Sequence, residues 1–214
     1  MKQILTLILF SLIMTDMNSQ TLTIADLRPG DVLLYHGHTI LSEIIDDFEK
    51  ASYSHASICF QNVDTVFVSE AIEGGLEPNP VKESIKGCQI MVLRPQFTVN
   101  DSFLSRFTIA NLGKHRYGFF RLIVAQAIYQ LSGKKWWILN DKPNEHPKRF
   151  ICGEWVTYDY YRYFKDNFKD DDTWIKYFTN WPEATPPSLL ALPCFDHYML
   201  KTHHHGQVDS VNPL

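Results

Sequence analysis

The apolar positions of this chain switch between a period of two and a period near 3.6, and the switches mark its elements. In "ADLRPGDVLLYHG" a turn at Pro29-Gly30-Asp31 precedes the continuous apolar run "DVLLY", the pattern of a buried strand. In "TILSEIIDDFEK", Ile40, Leu41, Ile44, Ile45 and Phe48 recur at helical spacing. Two short strands follow, "HASICF" and "TVFVSE", joined by "QNVD"; then come a turn-rich "GGLEPNP" and a further strand in "KGCQIMVLRP". "DSFLSRFTIANLG" predicts a helix capped by Asp101 or Ser102 and stopped near Gly113. "YGFFRLIVAQAIYQLSG" is apolar on most sides and predicts a buried helix ending at Gly133. After the loop-like "NDKPNEHPKR", Trp155, Val156, Tyr160, Tyr163 and Phe164 share one helical face that starts at Cys152. "TPPSLLALPCF" predicts an extended closing segment. This order of elements predicts an α+β fold, an antiparallel sheet packed against helices.

Length and composition narrow the picture. With 214 residues, 45% of them hydrophobic, the chain suits one domain with a core of its own. A net charge of −4 and a pI near 6.1 argue against a nucleic-acid binder, which would show a basic face. Lys2 precedes "ILTLILFSLIM", an apolar run of 11 residues closed by polar "TDMNSQ". The run is shorter than the roughly 20 residues that span a bilayer, and it matches the core of a secretory signal. The expectation is a signal peptide over 1–19, one globular domain over 20–200 and a polar tail over 201–214. The protein would then be periplasmic or secreted; the alternative is an uncleaved N-terminal anchor that keeps it near a membrane surface.

The chemistry turns on the four cysteines, Cys59, Cys88, Cys152 and Cys194. They form no C-x-x-C pair, so no zinc site is expected, and His203–His205 sit in the polar tail. Cys59, inside an apolar strand, reads as packing; Cys88 and Cys194 read as packing residues or as a bridge. His36 and His38 read as water-facing residues of a polar loop, with a cleft lining as the alternative, and Trp136 and Trp137 as packing residues, with a substrate wall as the alternative. Cys152 differs, because a thiol at a helix N-terminus feels the positive end of the macrodipole, which favours the thiolate. A nucleophile also needs a base, and the base needs an orienting group. If Phe60 and Thr65 close a hairpin around a four-residue loop, Gln61–Asp64, His55 falls opposite Glu70. Directly opposed side chains have Cβ atoms about 5 Å apart, so a carboxylate would hold the imidazole. Glu73 is a rival carboxylate in the following turn. Alone, each residue has an ordinary reading: a packed thiol, a sheet-edge histidine, a solvated strand-end acid. Together they are the parts of a nucleophilic site.

The order "RPGDVLLY … YSHASIC … VFVSEAI … YGFF … FICGEWV … TPPSLL" resembles the permuted papain-like amidases of the YiiX/YaeF type, relatives of the NlpC-type cell-wall cysteine peptidases with circularly rearranged elements. The likeness runs from about Leu27 to about Phe195. It implies a circularly permuted papain-like fold with Cys152 as nucleophile, His55 as general base, Glu70 as orienter and Tyr117 at the substrate. "YGFF" stands where the family more often has Tyr-Asp, and "CGE" where it more often has Cys-Ser-Glu. The resemblance implies a thiol amidase or peptidase that needs no cofactor and no metal. It would act through a thioester on a peptide or isopeptide amide such as a peptidoglycan stem peptide. A lipid acyl hydrolase or acyltransferase on the same fold, taking an acyl-lipid substrate, and a non-catalytic binding domain are the alternatives.

Overall fold

The computed structural model describes residues 21–36, 53–118, 147–168 and 172–201. The helices expected over 39–50 and beyond Gly118, with His38, Trp136, Trp137, His203–His205, the signal peptide and most of the tail, lie outside the described residues. Strands β1 (Thr21–Leu22), β2 (Val32–His36), β3 (His55–Asn62), β4 (Thr65–Ile72), β5 (Gly75–Pro80), β6 (Gln89–Pro95) and β9 (Phe195–Leu200) form one sheet in the order β1-β9-β6-β2-β3-β4-β5. Of these strands only β1 and β9 run parallel to each other. Strands β7 (Arg116–Tyr117) and β8 (Arg149–Phe150) pair in parallel as a separate ladder. The helices are α1 (Val81–Ser84), α2 (Asp101–Asn111), α3 (Cys152–Asn167), α4 (Asp172–Ile175) and α5 (Pro186–Leu190). This is an α+β arrangement with a mostly antiparallel sheet.

Alternation sorts the strand residues onto two faces. Val32, Leu34, Ala56, Ile58 and Ala71 pack with Trp155, Val156, Tyr160, Tyr163 and Phe164 of α3. Leu33, Tyr35, Cys59, Val68 and Ile90 form a second cluster with Val81 of α1 and Ile85. The apolar face read from the sequence is therefore the one that meets the sheet. Helix α3 goes further, because Glu154, Thr157 and Asp159 are buried too. The Pro29-Gly30-Asp31 turn ties it to the sheet. Arg94 grips both oxygens of buried Asp31, at 2.9 and 2.7 Å, and the Tyr160 hydroxyl donates to the Gly30 carbonyl. Gly30 sits at φ 89, where a side chain would be strained.

Several expectations are corrected. The β3–β4 ladder runs on to Asn62↔Thr65, so the turn is two residues, Val63-Asp64, rather than four. Glu70 then faces Ser57, and His55 faces Tyr35 of β2. "GLEPNP" is a strand, and its prolines are tolerated because β5 is an edge strand. The cap of α2 is Asn100, whose side chain accepts from the Phe103 N–H at 3.0 Å. "TPPSLL" is not extended: Thr185 caps α5, with Pro186 at its first position, where no N–H is needed. His36 ends β2, paired with Gln89, rather than lying in a loop.

Candidate active site

The nucleophile candidate sits on the first turn of α3, and its neighbours explain the local fold. The Ile151 N–H, ahead of the helix, donates to the Glu154 carboxylate at 2.9 Å, satisfying one of the end groups that a helix leaves open. A Cβ on Gly153 would stand 2.6 Å from the Ala184 carbonyl oxygen and 2.8 Å from Thr185 Cα. Glycine there lets the segment before α5 close directly on the turn that carries Cys152. The Cys152 side chain is fully buried, its sulfur 4.0 Å from the Ser54 carbonyl oxygen.

His55 opens β3, one residue after Ser54. Its ring lies 5.0 Å from the Tyr35 ring, and its Nε2 stands 3.6 Å from Oε2 of Glu70. The expected neighbours do meet, though diagonally rather than face to face. The two-residue turn shifts the register by two, and a shift of two keeps both side chains on one face of the sheet. Burial works against the charged imidazole. Cys152 first, and Glu70 after it, favour the charged form, outweigh the burial and push His55 up to about 10. Among the described residues Nε2 has no partner closer than Glu70.

Glu70 is itself held. The Tyr35 hydroxyl donates to its Oε1 at 3.3 Å, Ser84 Oγ donates to the same oxygen, and Asn79 Nδ2 reaches Oε2 at 3.5 Å. The Tyr35 hydroxyl also lies 2.7 Å from Ser57 Oγ and 2.6 Å from Ser84 Oγ. Burial would raise this carboxyl, but the hydrogen bonds and the charge of His55 hold it below the usual range. Tyr35, Ser84 and Asn79 escaped the sequence reading. The only signal was a tyrosine closing an otherwise aliphatic strand. Glu73 stands exposed in the β4–β5 turn and takes no part.

Tyr117 arrives through the small ladder. It pairs with Phe150, and the Gly118 N–H donates to the Phe150 carbonyl at 2.9 Å, which sets Tyr117 beside the strand that leads into Cys152. Burial raises its phenol, and the charges of Cys152 and Glu154 raise it further, so it keeps its proton as a donor. The remaining cysteines stand apart. All four are free, so no bridge joins Cys88 and Cys194. Burial raises the Cys59 thiol and pushes Cys194 up to about 11.

No family model matches the chain, and no curated protein does. Solved structures do match. One is the metalloprotein YiiX from Escherichia coli O157:H7, with a TM-score of 0.55 and 17% sequence identity over 79% of this chain and 95% of that one. The fold is YiiX-like. At this identity the likeness speaks for architecture and not for chemistry. No group of three or more His, Cys, Asp or Glu side chains among the described residues is placed to hold a metal ion. The described residues do not offer such a centre. No described helix is long and apolar enough to cross a membrane.

Proposed function

We propose that this protein is a thiol hydrolase of the permuted papain-like type, an amidase or peptidase with Cys152 as nucleophile, His55 as general base and acid, and Glu70 as the group that orients His55. One observation carries the reading. The His55 imidazole stands 3.6 Å from the buried Glu70 carboxylate, and the buried Cys152 sulfur lies 4.0 Å from the carbonyl oxygen of Ser54, the residue before His55. A structural histidine needs neither partner; a nucleophilic site needs both.

The chemistry follows from these groups. Glu70 faces Nε2, which leaves Nδ1 for the thiol. The proton of Cys152 passes to His55, and the sulfur attacks a carbonyl carbon, forming the C–S bond. The charge on the carbonyl oxygen is received by the Cys152 backbone N–H at the helix start and by the Tyr117 hydroxyl. Imidazolium then protonates the leaving nitrogen as the C–N bond breaks. Water, losing its proton to His55, releases the acyl group from the thioester and restores the thiol. The substrate class we propose is a peptide or isopeptide amide, such as a peptidoglycan stem peptide, which an exported enzyme would meet. Acyl-lipid esters and amides are the competing class.

The test is a trapped acyl-enzyme. Incubation with p-nitrophenyl acetate should give a burst of p-nitrophenol and an acetyl group on the Cys152 peptide, then slow deacylation. The burst should vanish in Cys152→Ala and in His55→Ala. Acetylation without deacylation, or acetylation spread over other residues, would favour a binding domain. Turnover of stem-peptide fragments against acyl lipids then separates the two substrate classes.

A further inference from the structure

The chain is acidic overall, yet one strip beside the site is cationic. Arg116 and Arg149 are register partners in the β7–β8 ladder, so their side chains leave the same face side by side. Lys148 precedes Arg149, with its carbonyl accepting from the Arg116 N–H at 3.0 Å, and Lys114 lies two residues before Arg116. All four side chains are exposed, whereas the next positions, Tyr117 and Phe150, turn inward. Among the described residues none of the four is in an ion pair, although the adjoining β4–β5 hairpin carries Glu73 and Glu77. The same two strands bring Tyr117 to the site and lead into Cys152, three residues past Arg149. The backbones of Arg149 and Cys152 are therefore at most about 10 Å apart.

We propose that Arg116 and Arg149, flanked by Lys114 and Lys148, bind an oxyanion on the substrate, a carboxylate or a phosphate, outside the position where Cys152 acts. Two adjacent guanidinium groups match either oxyanion with paired N–H donors, which a scattered surface charge does not. A group held there orients the scissile carbonyl without taking part in the chemistry, so the strip sets which acyl compounds are used. The inference rests on Cys152 being the nucleophile.

Two reagents separate the claims. Iodoacetamide is neutral and iodoacetate is an anion; both alkylate thiolates. The rate at Cys152 is measured with each, by peptide mass spectrometry, for wild type and for the Arg116→Gln/Arg149→Gln protein. Taken at roughly 10 Å in a water-like dielectric, two charges change the encounter of an anion about threefold at low salt, and most of that disappears at about 0.3 M. The double variant should therefore lose about threefold in iodoacetate rate at low salt only, with the iodoacetamide rate unchanged. Inorganic phosphate and succinate, at matched ionic strength, serve as competitors. At least one should slow iodoacetate in wild type and not in the variant, and which one does names the oxyanion. If Cys152 reacts with both reagents, but their ratio ignores the variant and neither competitor acts, the strip is not a binding site. If Cys152 in folded wild type is inert to both reagents, the nucleophile fails and the strip with it.

Discussion

Replacing Glu70 with glutamine tests the orienting group while keeping its size. Tyr35 and Ser84 both donate to Oε1, so an amide that keeps these two bonds places its oxygen there and its NH2 toward His55. A donor would then face a donor where a carboxylate oxygen stood 3.6 Å away. Coulomb attraction over that distance at an effective dielectric of about 20 is about 4–5 kcal/mol. Solvent at a partly exposed histidine screens about half of it, leaving about 2 kcal/mol, or roughly 1.5 pH units. The sign is fixed, because removing a negative charge beside an imidazolium lowers its titration. The His55 midpoint should fall from about 10 in wild type to roughly 8.5 in Glu70→Gln. Cys152→Ser should lower it at least as far, since Cys152 is the first of the influences that raise His55. The assay is a pH titration of the 15N-labelled imidazole by NMR, with Glu73→Gln as control. A midpoint in Glu70→Gln equal to wild type would refute the reasoning.

Three further changes probe the scaffold. Gly153→Ser should destabilise the fold by about 1–3 kcal/mol in urea, because its Cβ would meet the backbone of Ala184 and Thr185, which cannot rotate away; an unchanged midpoint would contradict this. Buried Asp159, which accepts from Thr108 Oγ1 at 2.7 Å, is pushed up to about 8 by burial, so the folded chain keeps a proton that the unfolded chain releases near 4. Wild-type stability should therefore fall as pH rises from 5 to 8, by about 3 kcal/mol relative to Asp159→Asn, and parallel curves would count against it. Val63, 82% exposed at φ 56, holds a conformation costly for a branched side chain. Val63→Gly should stabilise by about 0.5–1 kcal/mol, and a loss of stability would contradict the turn.

What could be read from the sequence was what is local or periodic. The β3–β4 hairpin was visible as two apolar runs, but "QNVD" looked like a loop because nothing in it announces that valine takes a left-handed turn. The error was an even number of residues, so His55 and Glu70 stayed on one face and the pairing survived; an odd slip would have parted them. The apolar face of α3 was legible, whereas the burial of Glu154 and Asp159 depends on elements that cover its other sides. Helix α5 was missed because two prolines suggest extension, and only the threonine before them marks a helix start. Tyr35, Ser84 and Asn79 come from β2, α1 and β5, and no short-range pattern links three such segments to one carboxylate.

The most direct test of the central claim is which cysteine iodoacetamide reaches first in the folded protein near pH 6. Access alone favours Cys88, the half-buried one, since Cys59, Cys152 and Cys194 are buried. A working triad predicts the reverse: Cys152 is labelled first, and the rate falls at least tenfold in His55→Ala while Cys88 is unaffected. Labelling of Cys88 first, with Cys152 protected until the protein unfolds and no effect of His55→Ala, would make Cys152 a packed core thiol and contradict its role as nucleophile.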